Sequence, residues 1–181
     1  MMSLYEYFQT PETVLPQELI HGEVRVAESP SPVHQHIVGN LFLILHEHLT
    51  RYGLGKAWLA PLDVILDTDA PLVVQPDLFV ILNGGAAVVD DRVYGPPELV
   101  IEVLSPRPRI GKLAERLEWF RNYGVRECWL VHQLTGHVNV LRFTNRRLVS
   151  ETSHRRAARI ESVVLPDFKY SLSMIDGTAG L

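Results

Sequence analysis

The sequence predicts a mixed α/β domain with a central β-sheet flanked by helices. Two amphipathic helical stretches and a series of short apolar runs predict it. They follow in the order helix, three strands, helix, two strands. A carboxylate inside each of two neighbouring strand-like runs then points to a site.

The N-terminal dozen residues read as a short helix anchored by Leu4, Tyr7 and Phe8. Glu18–Ile20 and Glu23–Ala27 form a small hairpin around His21-Gly22. Ser29-Pro30-Ser31-Pro32 makes a hinge and a helix start. From Val33 to Arg51 the residues Ile37, Leu41, Ile44, Leu45 and Leu49 recur at spacings of three and four, the period of an amphipathic helix. Tyr52-Gly53 and Gly55 end it. Ala57–Leu66 reads as the first strand, with its turn over Asp67–Pro71. The second is Leu72–Leu82, interrupted by Pro76, and the polar stretch from Asn83 to Pro97 is a loop. The third strand is Glu98–Leu104, broken by Ser105-Pro106 and Pro108. Lys112–Tyr123 is a second helix with Leu113, Leu117 and Phe120 on one face, stopped by Gly124. Glu127–His132 and Val138–Phe143 form a hairpin, and a last strand is expected near Glu161–Leu165.

At 181 residues the chain is expected to be one domain over 1–181, large enough for a real core. A single cysteine, Cys128, excludes a disulfide framework within the chain and fits a reducing compartment. The N-terminus carries no basic, apolar leader pattern, and no stretch approaches the roughly 20 apolar residues of a spanning helix. The expectation is a cytoplasmic protein with no membrane partner. The net charge of -4 hides an asymmetry. Residues 105–159 hold twelve Lys/Arg against four Asp/Glu, and the remainder five against seventeen. A basic half beside an acidic half can make a phosphate-facing patch next to a metal-binding cleft, or simply a solvated surface.

Asp77, after a proline in VVQPDLFVIL, and Glu102, in PPELVIEVLSP, lie 25 residues apart, a distance that suits neighbouring strands. A carboxylate in an apolar strand is costly to bury unless it is paired or binds a metal. Two of them together suit a hard divalent cation, which prefers oxygen ligands. Phosphodiester cleavage needs an activated water, charge neutralisation and a stabilised leaving oxygen, and Mg²⁺ (or Mn²⁺) can supply all three. Strand periodicity puts Glu98 on the same side as Glu102, as an auxiliary acid or a solvent-facing strand start. Lys112 and Arg116, four residues apart on one helix face, offer cations to the same site.

The run PDLFVI, then PPELVIEVLSP, then a basic helix ending in GVRECWLV, resembles the Uma-type putative restriction endonuclease family of bacteria, within the PD-(D/E)XK nuclease superfamily. ELIHGEVRV and SPSPVHQHIVGNLFLILHEHL resemble it too, so the likeness covers roughly residues 15–145. It implies a restriction-endonuclease-like core, metal-dependent hydrolysis of DNA, and a homodimer. Asp77 matches the PD aspartate and Glu102 the acid of the third strand. The superfamily lysine normally follows that acid by two residues, where this chain has Leu104. In the Uma-type pattern it moves to the following helix as D-x-x-x-K, and the slots here hold Lys112 and Arg116. Both depart from the pattern, and arginine cannot serve as a general base. The likeness further points to Glu23 as an extra acid, to Gln75 as a residue near the site, and to His34 in a substrate or structural role.

Plainer readings stand beside these. Asp77 alone reads as a strand-end turn residue, Glu102 as half of an ion pair, and Lys112 and Arg116 as a charged helix face with Glu115 and Glu118. His34/His36 and His46/His48 are spaced i,i+2 on a helix, unlike the i,i+4 pair that binds zinc. Cys128, Trp119 and Trp129 read as packing. Three functions follow: a Mg²⁺-dependent DNA endonuclease, a degenerate nucleic-acid-binding or regulatory module on the same fold, and a hydrolase of other phosphoesters.

Overall fold

The computed structural model describes residues 1–11, 15–27, 29–105, 113–155, 158–168 and 170. Ser3 and Glu6 cap one another at the start of α1 (Leu4–Phe8). The hairpin of β1 (Gln17–Ile20) and β2 (Glu23–Val26) turns at His21-Gly22, both with positive φ, as a two-residue hairpin loop requires. Helix α2 (Pro32–Tyr52) starts on the Ser31 side chain, has Pro32 in its first turn, and ends on left-handed Gly53. There follow β3 (Gly55–Leu59), β4 (Val64–Asp67), β5 (Leu72–Val74), β6 (Leu78–Leu82), β7 (Ala87–Val89), β8 (Arg92–Tyr94) and β9 (Leu99–Leu104). Helix α3 (Leu113–Tyr123) leads to β10 (Glu127–His132), β11 (Val138–Thr144) and β12 (Arg147–His154).

The strands make two six-stranded sheets, in the orders β2-β1-β5-β4-β8-β7 and β12-β11-β10-β9-β6-β3. Both of the long strands expected from sequence are divided between them. Ala57–Leu66 splits at Ala60-Pro61 into β3 of one sheet and β4 of the other. Leu72–Leu82 splits at Pro76 into β5 and β6, because a proline has no N–H to donate to a central ladder. Within the expected loop 83–97, β7 and β8 pair across Asp90-Asp91, both at positive φ. The expected strand at Glu161–Leu165 is absent, and the final strand is β12, joined to β11 through Asn145-Arg146. Segment 161–163 is pinned instead by the fully buried Glu127. Its Oε1 accepts from Ser162 Oγ at 2.6 Å and Trp129 Nε1 at 2.8 Å, and its Oε2 from Val163 N at 2.8 Å.

Alternation along β6, β9 and β10 decides what covers each face of the second sheet. Leu78, Val80, Leu99, Ile101, Val103 and Trp129 face the apolar stripe of α2, which supplies Ile37, Val38, Leu41, Leu45 and Leu49. Phe79, Val100, Cys128 and Leu130 face the other way, onto Phe120 of α3 and onto Ile20, Val64, Leu72 and Val74 of the first sheet. Strands β9 and β10 are parallel, and α3 is the crossover between them. The start of β6, the end of β9, the first turn of α2 and the first turns of α3 therefore meet at one end of the sheet. Among the described residues no helix is long and apolar enough to cross a membrane.

On the α2 side His48 is 2% exposed, ringed by Tyr52, Phe168 and Tyr170. Burial holds its imidazole below the usual 6.5, against the pull of a hydrogen bond with the Pro166 backbone. The native state thus disfavours the charged ring. Its contribution is fully present above pH 6.5 and is lost as the pH falls below that, where the unfolded chain takes up the proton first. Urea midpoints at pH 7.5 and 5.5 should therefore fall further for the native protein than for His48→Phe. Equal falls would remove His48 as a source of acid sensitivity.

Candidate active site at the β6–β9 edge

Antiparallel pairing of Leu78 with Ile101 is the last pair of β6 against β9; Asp77 directly precedes Leu78 and Glu102 directly follows Ile101, so both stand at that end of the ladder. The two carboxylates are near enough for the Asp77 charge to act on Glu102. The Asp77 carboxylate is fixed through one oxygen. Oδ2 accepts from Val103 N at 2.8 Å and pairs with His34 Nε2 at 3.1 Å. His34 comes from the first turn of α2, where its backbone N–H donates to the Ser31 cap. Its ring is buried, and Nδ1 has no hydrogen-bond partner among the described residues.

Glu102 is likewise held through one oxygen. Oε1 accepts from Arg116 Nε at 3.1 Å and Nη2 at 2.6 Å. The other side of the guanidinium is taken by Glu18, a fully buried carboxylate on β1, whose two oxygens accept from Nη1 at 2.8 and 2.7 Å. Glu18 Oε1 also accepts from Gln75 N at 2.7 Å, just before Pro76-Asp77. One arginine is thus shared between two carboxylates beside a third. Burial, opposed by Arg116 and reinforced by Asp77, leaves the Glu102 carboxyl pushed up to about 7. Burial pulls the Arg116 guanidinium down, but Glu102 and Glu18 outweigh it and the net shift is upward. Each carboxylate receives only part of the cation, while the cation receives both carboxylates.

Asp77, Glu102, Arg116 and His34 are therefore together, and the geometry adds Glu18. Its signal was present in ELIHGE, a carboxylate next to two apolar residues. The sequence places it only at the start of the Glu18–Ile20 hairpin strand, with no partner in view. Of the remaining candidates, Gln75 lies beside Glu18, while Glu98 and Glu23 lie elsewhere. Glu98 begins the opposite end of β9, about 13 Å along the strand from Glu102. There its carboxylate accepts from Leu82 N at 2.9 Å and crowds Gly85. Strand periodicity assigns a face but not proximity. Glu23 is exposed on β2, 3.6 Å from Arg25. Gln75 touches Glu18 through its backbone, while its side chain turns to Gln17 N and Asp63. Lys112 falls outside the described residues.

Among the described residues nothing donates to Asp77 Oδ1 or Glu102 Oε2. That donor set is all oxygen and fits a hard divalent cation. No three His, Cys, Asp or Glu side chains among the described residues converge into a closed cage. An ion here would keep most of its shell as water and substrate oxygens, the habit of Mg²⁺ rather than of Ca²⁺ or Zn²⁺.

The family model described as Uma2, putative restriction endonuclease, matches residues 4–174. The chain belongs to the Uma2 family. Its fold agrees with that of the crystal structure of a putative nuclease belonging to DUF820 from Anabaena variabilis. The TM-score is 0.79 at 18% identity, over 97% of each chain. This Uma2 protein thus has the restriction-endonuclease-like fold, here with two mixed sheets and flanking helices. No curated protein matches it.

Proposed function

We propose that this Uma2 protein is a Mg²⁺- or Mn²⁺-dependent endonuclease that hydrolyses phosphodiester bonds in DNA. One observation carries the proposal: Asp77 and Glu102 flank the terminal Leu78–Ile101 pair of β6 and β9, each tied down through one oxygen, with no described residue donating to the other. In this reading Asp77 and Glu102 hold the ion through their free oxygens. A divalent cation bound there supplies Lewis-acid polarisation and a lowered water pKa. Arg116 orients Glu102 and offsets the crowding of three carboxylates. It is 7% exposed and engaged on both sides, so it is placed to act through Glu102 and not as a direct phosphate contact. Exposed Arg155 follows His154, which the register of β12, β11 and β10 aligns with the Val103 end of β9, and supplies a cation for a DNA backbone there. A cytoplasmic homodimer would present two such sites to the two strands.

The experiment is nicking of supercoiled plasmid by purified protein with Mg²⁺, Mn²⁺ or EDTA, and with Asp77→Ala. The expected result is cleavage that needs the metal and vanishes in the variant. Cleavage that survives EDTA, or persists in Asp77→Ala, contradicts the proposal.

The arginine in the lysine slot favours a second reading, a degenerate nuclease fold that binds nucleic acid without cutting. Under it the native protein binds DNA in a salt-sensitive way but does not nick it, and Arg116→Lys gains cleavage.

A further inference from the structure

We infer that His34 is a positioning residue that locks the Asp77 carboxylate for metal binding; this rests on the proposed metal-dependent reading of the site. A carboxylate on a strand end can rotate about its last torsion, which is broad. Two donors from different elements stop it here, Val103 N of β9 and His34 Nε2 of α2, both on Oδ2. An ionised carboxylate only accepts, so Nε2 must carry the proton. Oδ1 is thereby left as the ligand atom beside Glu102. Hydrogen-bonded partners of this kind orient carboxylates that bind metals and raise affinity without touching the ion.

The ring's other nitrogen argues against a purely structural role. Nδ1 is buried with no partner among the described residues, so the imidazole carries a polar group they do not compensate. The neighbouring Val33 and Ile37 pack into the apolar cluster beneath α2. An apolar residue at position 34 would avoid that cost and still leave the Ser31 cap its backbone donor. What only a long side chain with a terminal N–H can do here is reach Asp77 Oδ2.

The test is calorimetric titration of Mn²⁺ into the native protein and into Asp77→Asn, His34→Leu, His34→Asn and His34→Gln. Glutamine places an amide N–H near the Nε2 position, whereas asparagine is too short and leucine has no donor. The leucine and asparagine variants should bind Mn²⁺ roughly 10–100-fold more weakly, and the glutamine variant should recover to within about fivefold of native. Using two disabling variants keeps the test valid if one of them folds poorly. Native-like Mn²⁺ affinity in a folded leucine or asparagine variant, with binding lost in Asp77→Asn, overturns the role of His34 and leaves the metal site standing. A glutamine variant as weak as leucine overturns the hydrogen-bond assignment. No Mn²⁺ binding by the native protein overturns the metal-dependent reading and this inference together.

Discussion

Arg116→Leu should lower folding stability by about 3–5 kcal/mol, the usual cost of removing one partner from a buried ion pair. For a chain of this size that is a fall in Tm of roughly 6–20 °C. The reason lies in Glu18. It is fully buried, and both of its oxygens rest on Arg116 Nη1; without the guanidinium its remaining donor is Gln75 N. Glu102 loses its two Arg116 hydrogen bonds in the same step. Arg116→Lys should cost less, because it keeps a charge but cannot fork between two carboxylates. Adding Glu18→Gln to Arg116→Leu should restore part of the loss, since a neutral amide no longer strands a charge. Urea denaturation of the three variants measures this. A change below about 1 kcal/mol in Arg116→Leu would mean that the arginine is not the clamp described.

How far the sequence could be read follows from which physical signals are local. The carboxylates Asp77 and Glu102 stood out because each interrupts an apolar run, and their separation of 25 residues suited neighbouring strands. Helix α2 stood out because five apolar residues keep its period. The division into two sheets did not, although Pro61 and Pro76 mark it. Apolar residues continue on both sides of each proline, and hydrophobicity alone cannot tell one long strand from two that diverge. Strand β12 was missed because RLVSETSH is an exposed edge with neither a clean alternation nor an apolar core. Glu18 was missed for a related reason: it is buried by a partner 98 residues away, and nothing near it in sequence announces Arg116. Glu98 shows the opposite failure, since period two assigns a face but says nothing of distance along it.

Asp77→Asn and Glu102→Gln should each reduce metal-dependent DNA cleavage by about 10³-fold or more, because each removes one of two charges that hold the ion and its several kcal/mol of transition-state stabilisation. Both substitutions keep an oxygen that can accept the existing bonds, from Val103 N in one case and Arg116 in the other. The fold should survive, which separates this loss from the stability effect at Arg116. If the two carboxylates serve one ion, their effects must also be strongly non-additive.

The most direct test of the account is single-turnover cleavage of plasmid DNA in Mn²⁺ by the native protein, the two single variants and the double variant. The expected result is near-complete loss in each single variant, with the double variant no worse than either. Activity retained in either single variant, or losses that simply multiply in the double, would contradict a shared metal site at Asp77 and Glu102.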